Sequence, residues 1–278
     1  MALKLMYITN DTEVARIAED AGVDRIFLDL ETIGKQERQG GMDTVQSRHT
    51  ISDIAIIKDV LKKSELLVRA NPIHPGTEQE IDQIIAAGAW IIMLPYFKTK
   101  EEVERFLACV NGRAKTMLLF ETPESVELAD EILELDGIDE VFIGLNDLSL
   151  GYGKSFMFTL LSDGTVEELC LKFRKKGIPY GFGGIAAIGT GTLPAEAILK
   201  EHYRLGSSAV ILSRSFCNYE KISDRNEIKE IFDRGIQEMR EKEREIEVYS
   251  KYFFENIELV KEKVALICDA IEKRRNDA

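Results

Sequence analysis

Two carboxylates arrive where apolar runs end: Glu121 closes TMLLFE (116–121), and Asp147 follows EVFIGL (140–145) by two residues. Hard oxygen donors of this kind suit Mg²⁺ or Mn²⁺, and Co²⁺ in their place, with water or a chelating substrate completing the shell. Arg69, in LLVRA (66–70), supplies a permanent positive charge. A 2-oxo acid such as pyruvate offers a divalent cation one carboxylate and one keto oxygen. The cation then acts as a Lewis acid toward the enolate, while Arg69 balances the developing oxyanion. Backbone amides in the turn GLND (144–147) are placed to receive the substrate carboxylate. Taken singly, each residue has a plainer explanation. Asp147 can cap a helix, Glu121 can sit beside a Thr122 cap, and Arg69 can pair with Glu31. The chemistry requires them to converge.

Convergence depends on the elements that carry them. Eight short apolar runs punctuate the chain: 3–8, 25–30, 66–70, 90–95, 116–121, 140–145, 178–183 and 208–213. Most are apolar without alternation, as parallel strands covered on both faces are. Helical patterns lie between them. Thr77 with Glu80, Thr99 with Glu102 and Thr165 with Glu168 read as capping boxes, and Thr122-Pro123 as a cap and first turn. Glycines at 22, 88, 112, 137, 177 and 206 stand where helices should stop. Eight such units predict an α/β fold, a (β/α)8 barrel over 1–219, with an open doubly wound sheet as the alternative. In a barrel the strand ends share one face, and Glu121 and Asp147 come from neighbouring strands.

Residues 220–278 read as a helical extension. Within it, 226–250 is strongly charged, and REKEREIE (240–247) is most simply a solvated face. Phe253, Ile257, Val260, Val264, Ile267 and Ile271 then recur at intervals of 4, 3, 4, 3 and 4. That seam suits packing either on its own barrel or on a neighbouring subunit, which would make a homo-oligomer.

The net charge of −13 and pI near 4.9 argue against nucleic-acid and anionic-membrane partners. Cysteines at 109, 170, 217 and 268 are widely spaced, so reduced thiols are expected rather than a structural zinc site. MALKLMYITND lacks the pattern of a signal peptide, and no apolar run reaches the ~20 residues of a membrane span. These features predict a cytoplasmic protein acting on small molecules.

The ordered set AGVDRIFLDLE, VRAN, GAWIIMLPYFKTKEE, LLFET and GIDEVFIGLNDLSLGYG resembles the HpcH/HpaI aldolase and citrate lyase β-subunit family over roughly 1–215. The resemblance implies a (β/α)8 barrel of the class II, metal-dependent pyruvate aldolase type, with a 2-oxo acid and an aldehyde as substrates. It places the metal carboxylates on Glu121 and Asp147, the catalytic arginine on Arg69, and the substrate-carboxylate contact on the Leu145–Asn146–Asp147 backbone. Asn71, two residues beyond Arg69, is predicted as a further substrate contact. One departure stands out. Pyruvate aldolases of this family carry Glu-His at the end of strand 2, whereas this chain has Glu31-Thr32. A neutral hydroxyl is a poor general base. His74, Lys35 and His49 lie in loops expected at the same face. His74 is the best placed of these and joins Arg69 and Glu31 as a predicted catalytic residue.

A second region, GFGGIAAIGTGTLPAE (181–196) with SRSF (213–216), falls where such barrels often bind phosphate. Ser213, Arg214 and the amides before the Pro194 helix predict an anion pocket for a phosphorylated or acidic substrate. Two other functions are open: a citrate-lyase-like activity on an acyl-CoA ester, and a barrel with altered chemistry serving as a binding or scaffold subunit.

Overall fold

The computed structural model describes residues 2–34, 48–248 and 252–276. Eight parallel strands close into a barrel in sequence order, β1 pairing with β8. They are β1 (Lys4–Ile8), β2 (Arg25–Asp29), β3 (Glu65–Arg69), β4 (Ile91–Leu94), β5 (Lys115–Phe120), β6 (Glu140–Ile143), β7 (Tyr180–Ile185) and β8 (Ala209–Leu212). Each lies within two residues of its expected span. Around the barrel run α1 (Thr12–Ala21), α2 (Ile51–Val60), α3 (Thr77–Ala87), α4 (Lys100–Val110), α5 (Pro123–Glu127), α6 (Ala129–Ile132), α7 (Leu145–Gly151), α8 (Thr159–Ser162), α9 (Thr165–Lys176) and α10 (Ala195–Leu205). The open-sheet alternative is excluded by the β1–β8 pairing.

Strand parity sorts the side chains. Ile26, Leu28, Leu118 and Phe120 point outward and join one core with the helices. Met6, Phe27, Leu67, Ile91, Met93, Met117, Leu119, Phe142 and Ala209 fill the barrel interior. Stepping two residues along from these plugs gives the next inward layer. Phe27 leads to Asp29, Leu67 to Arg69, Leu119 to Glu121, and Phe142 to Gly144. Stepping back from the plugs gives a lower layer. There Arg25 donates from Nη1 and Nη2 to Glu140 at 2.7 and 2.6 Å and from Nε to Glu65 at 2.8 Å. Burial opposes the Arg25 charge, but Glu140 and Glu65 outweigh it and raise its pKa.

The helix starts were only partly legible. Thr99 and Glu102 form the expected box, and Thr122 caps α5 with Pro123 in its first turn. The other two boxes do not form. Gly76 caps α3, and the Glu80 carboxylate is drawn away to Asn71 Nδ2 at 2.7 Å and His74 Nε2 at 2.9 Å. Gly164 caps α9, and the Thr165 hydroxyl donates to Asp163 at 2.7 Å. The helix stop expected at Gly112 falls one residue earlier, on left-handed Asn111.

The C-terminal extension is α11 (Arg225–Val248) and α12 (Tyr252–Asn276). The solvated reading of 240–247 holds for only part of it. Buried Glu243 accepts the Leu3 N–H at 2.7 Å and the Tyr203 hydroxyl at 3.0 Å, and Arg240 donates to the Leu3 carbonyl at 2.8 Å. On α12, Val260 and Val264 of the seam are buried. The buried Asn256 amide donates to the Ala197 carbonyl at 3.0 Å and to Glu201 at 2.7 Å, fastening α12 to α10 of the same chain. Phe254 and Leu266 stay exposed.

Candidate active site

The C-terminal ends of the strands open onto a cavity of about 850 Å³. Asp29, Arg69, Glu121, Gly144 and Asp147 all line it, together with Leu145 and Asn146. The carboxylates of Glu121 and Asp147 are buried, their residues only 3% and 6% exposed. β5 and β6 are paired neighbours, Phe120 lying opposite Ile143, so the residues that follow enter the cavity side by side.

Two backbone features position Glu121. Tyr96 adopts a φ of 48°, uncommon for a residue with a side chain. Its N–H donates to Glu121 Oε1 at 3.0 Å. Gly144 provides the second. A Cβ at this inward position would lie 2.7 Å from Glu121 Oε2 and 2.8 Å from Glu121 Cβ. Only glycine leaves that space to the carboxylate. A similar constraint applies at Gly183, where φ is 53° and a Cβ would lie 2.6 Å from Leu145 Cδ1.

Arg69 is held as a fork. Its Nε and Nη2 donate to the two Asp29 oxygens at 2.8 Å each, and Nη2 stands 3.4 Å from Glu31 Oε2. Burial works against the charge, but Asp29, Glu31 and Glu121 together raise the pKa far above the ordinary arginine range. The guanidinium is therefore a permanent, oriented cation. Asp29, not Glu31, is the acid that reaches the cavity. Glu31 is buried beside Arg69 and does not line the cavity.

The two histidines exchange the ranks expected of them. His74 Nδ1 accepts the Gly76 N–H at 3.0 Å, which leaves Nε2 to donate to Glu80 at 2.9 Å. Both nitrogens are engaged, and His74 is not on the cavity wall. Asn71 is likewise used elsewhere. Its Oδ1 receives the Thr32 and Ile33 N–H groups at 2.9 and 3.0 Å. His49 does line the cavity, and its Nδ1 accepts the Asp29 N–H at 3.0 Å. That bond selects the tautomer with its proton on Nε2. Thr32 is exposed and tied to Asn71. Lys35 lies outside the described residues.

Ser213 and Arg214 line the cavity, as the anion pocket requires. The amides before α10 do not join them. The Gly189 N–H donates to Glu196 at 2.9 Å and the Ala195 N–H to the Thr190 carbonyl at 3.1 Å. Arg48 and Asn10 line the cavity too and were not anticipated. Asn10 was reachable by parity, two residues beyond inward-facing Ile8.

The donor set fits a hard divalent cation. Among the described residues no group of three or more His, Cys, Asp or Glu side chains could hold a metal. With two carboxylates, water and substrate oxygens must supply most of the shell, which is how Mg²⁺ is commonly bound.

The barrel agrees with comparisons to known proteins. A family model described as HpcH/HpaI aldolase/citrate lyase matches residues 4–159. No curated protein matches the chain. Among solved structures, an HpcH/HpaI aldolase from Desulfitobacterium hafniense DCB-2 is 17% identical, with a TM-score of 0.59 over 76% of this chain and 86% of that one. An HpcH/HpaI aldolase/citrate lyase family protein from Burkholderia cenocepacia J2315 is 15% identical, with a TM-score of 0.62 over 82% and 94%. The citrate synthase SbnG is 16% identical, with a TM-score of 0.59 over 87% and 94%. At these identities the structures speak for the barrel alone. The family model spans more than half of the chain, from β1 through the Glu121 and Asp147 turns, and on that match the chain belongs to the HpcH/HpaI aldolase/citrate lyase family.

Proposed function

We propose that the chain is a divalent-metal-dependent carbon–carbon lyase of the class II type, which makes or breaks a bond between a pyruvate-like enolate and an aldehyde. The observation that carries this reading is the burial of Glu121 and Asp147 on one cavity with the fixed Arg69 fork. Membership of a family whose aldolases typically depend on a divalent cation supports it. Bound by Glu121 and Asp147, Mg²⁺ or Mn²⁺ supplies Lewis acidity toward the 2-oxo acid.

The chain's own groups do the rest. Arg69, held by Asp29 and Glu31, presents a charge that needs no reorganisation as the enolate oxygen becomes negative. The amides of Leu145, Asn146 and Asp147 begin α7, where a helix has no internal acceptors for them, and they receive the substrate carboxylate. His49, on the cavity wall, is assigned to polarise the aldehyde carbonyl. Thr32, a neutral hydroxyl, is a poor base, so the hydroxyl proton released on cleavage passes to water.

The test is exchange of the C3 protons of pyruvate in D2O, followed by NMR without any aldehyde. Exchange is expected with Mg²⁺, Mn²⁺ or Co²⁺ and is expected to stop on chelation. No exchange with any of the three ions contradicts the proposal. Turnover of an acyl-CoA ester in its place moves the chain to the citrate-lyase branch of the family.

A further inference from the structure

We infer that Glu80, in the first turn of α3, is a positioning residue for Arg69. Acting through Asn71, it fixes the turn after β2 that aims Glu31 at the guanidinium. The kinetic part of its test rests on the aldolase reading above.

The turn is held on both sides of Glu31. The Glu31 N–H donates to Asp29 Oδ1 at 3.2 Å, the oxygen that also receives Arg69 Nε at 2.8 Å. One residue on, the Thr32 N–H donates to Asn71 Oδ1 at 2.9 Å, and the Ile33 N–H joins it at 3.0 Å. Peptide units are planar, so tying down the one on each side of the Glu31 Cα leaves its φ and ψ little freedom. The buried Glu31 carboxylate is thereby brought to 3.4 Å from Arg69 Nη2. Thr32 and Ile33 are exposed, so hydrogen bonds rather than burial hold this turn.

Asn71 can do this in one orientation only. Its Oδ1 must face the two N–H groups; flipped, the amide would set its own NH2 against them. Glu80 makes the same choice from the other side. As a carboxylate it only accepts, and its Oε1 takes Asn71 Nδ2 at 2.7 Å and, more distantly, the Asn71 N–H at 3.3 Å. Its Oε2 takes His74 Nε2 at 2.9 Å, and the His74 ring is anchored in turn by the Gly76 N–H at 3.0 Å. Glycine at 76 leaves that ring its room, since a Cβ there would lie 3.0 Å from His74 Cε1. Asn71, His74 and Glu80 are all absent from the cavity wall. They form a hydrogen-bonded relay outside the cavity that ends on the cation inside it, and a relay satisfied at each link rigidifies what it holds.

The experiment compares the full wild-type chain with Glu80→Gln, Asn71→Asp and the double variant. Glu80→Gln sets an amide NH2 against the His74 donor, and Asn71→Asp sets two carboxylates face to face. Together they exchange amide and carboxylate, so the Thr32, Ile33 and His74 donors each meet an oxygen again, and only the 3.3 Å contact is given up. Each single substitution is expected to lower the kcat of pyruvate C3 exchange per bound Mn²⁺ by about tenfold or more with little change in KM, because a charge aimed at the enolate acts in the transition state. The double variant is expected to recover most of that loss. A merely structural role would reduce the share of chains that bind Mn²⁺ and leave kcat per bound ion unchanged. Unchanged kcat in both single variants, or a loss that the double variant does not recover, overturns the inference. If the wild-type chain shows no exchange, the aldolase reading fails, and the Arg69 Nε–H proton then judges the relay by itself. Followed by ¹⁵N NMR and assigned with Arg69→Lys, it is expected to exchange with solvent about tenfold faster in each single variant and to slow again in the double one. An unaltered rate in the single variants overturns the inference.

Discussion

The barrel holds an arginine at each end, Arg25 fully buried and Arg69 partly so, and each is clasped by two acids. At the closed end Arg25 joins Glu140 and Glu65; at the open end Arg69 joins Asp29 and Glu31. Their geometry is alike, and so is the physics of each charge, since both are raised by neighbouring carboxylates against the cost of burial. What differs is the company they keep. Arg25 is fully buried and is not on the wall of the strand-end cavity, so its charge serves the fold. Arg69 borders a cavity that also holds Glu121 and Asp147, beside a glycine that keeps the space clear. A buried ion pair is therefore weak evidence of function by itself. An oriented charge facing room for a substrate is stronger evidence.

The largest effect that would sharpen this contrast is at the closed end. Arg25→Met takes the guanidinium fork from buried Glu140, while Glu65 keeps Lys115 at 3.2 Å, and it is expected to cost about 3–5 kcal/mol in urea unfolding. Turnover per folded molecule should stay unchanged. Replacing Glu140 with Met as well should recover much of the loss, because the uncompensated charge is the cost. At the open end, Arg69→Lys keeps the charge and loses the fork. It is expected to lower kcat by roughly 10²–10³-fold with little change in melting temperature. If the two variants swap phenotypes, the comparison fails.

Gly144→Ala tests the space rather than the charge. Its methyl group meets Glu121 Oε2 and Cβ, and moving that carboxylate should weaken Mn²⁺ binding by about 10–100-fold, as when a group that orients a metal ligand is disturbed. Unaltered affinity would show that Glu121 is not the constrained ligand.

A smaller effect belongs to the closed part of the molecule. His202 stacks on Phe182 at 3.8 Å, its Nδ1 is 2.8 Å from Ser207 Oγ, and burial lowers its pKa to about 3 from 6.5. The folded ring stays neutral while the unfolded ring takes a proton below 6.5. The stability it contributes is thus complete above that pH and is lost as pH falls toward about 3. At pH 5 the loss is about 2 kcal/mol. His202→Leu should flatten this part of the stability profile between pH 7 and 5 in urea titrations, and an unchanged slope would contradict the assignment.

Much of the barrel was legible because strands covered on both faces are apolar throughout. The same property hid which residues face inward. Asp29 and Glu31 share a parity, and β2 ends at Asp29, so only the pairing with β3 shows that Asp29 meets the Arg69 fork. Glu121 and Asp147 were easier to find, since one acid closes an apolar run and the other lies two residues past one. His74 outranked His49 for a similar reason: Glu80 reads as half of a capping box, and nothing in its spacing reveals that it holds both His74 and Asn71. Gly144 looked like part of a turn; that its missing Cβ makes room for Glu121 is a contact between strands, which local pattern does not encode.

The contrast between the two ends rests on Glu121 and Asp147 forming a cation site. Titration with Mn²⁺ followed by electron paramagnetic resonance tests this most directly. The account predicts one tightly bound ion per wild-type chain, retained in Arg25→Met and lost in both Glu121→Gln and Asp147→Asn. Binding that persists in both carboxylate variants, or no binding to the wild-type chain, would contradict it.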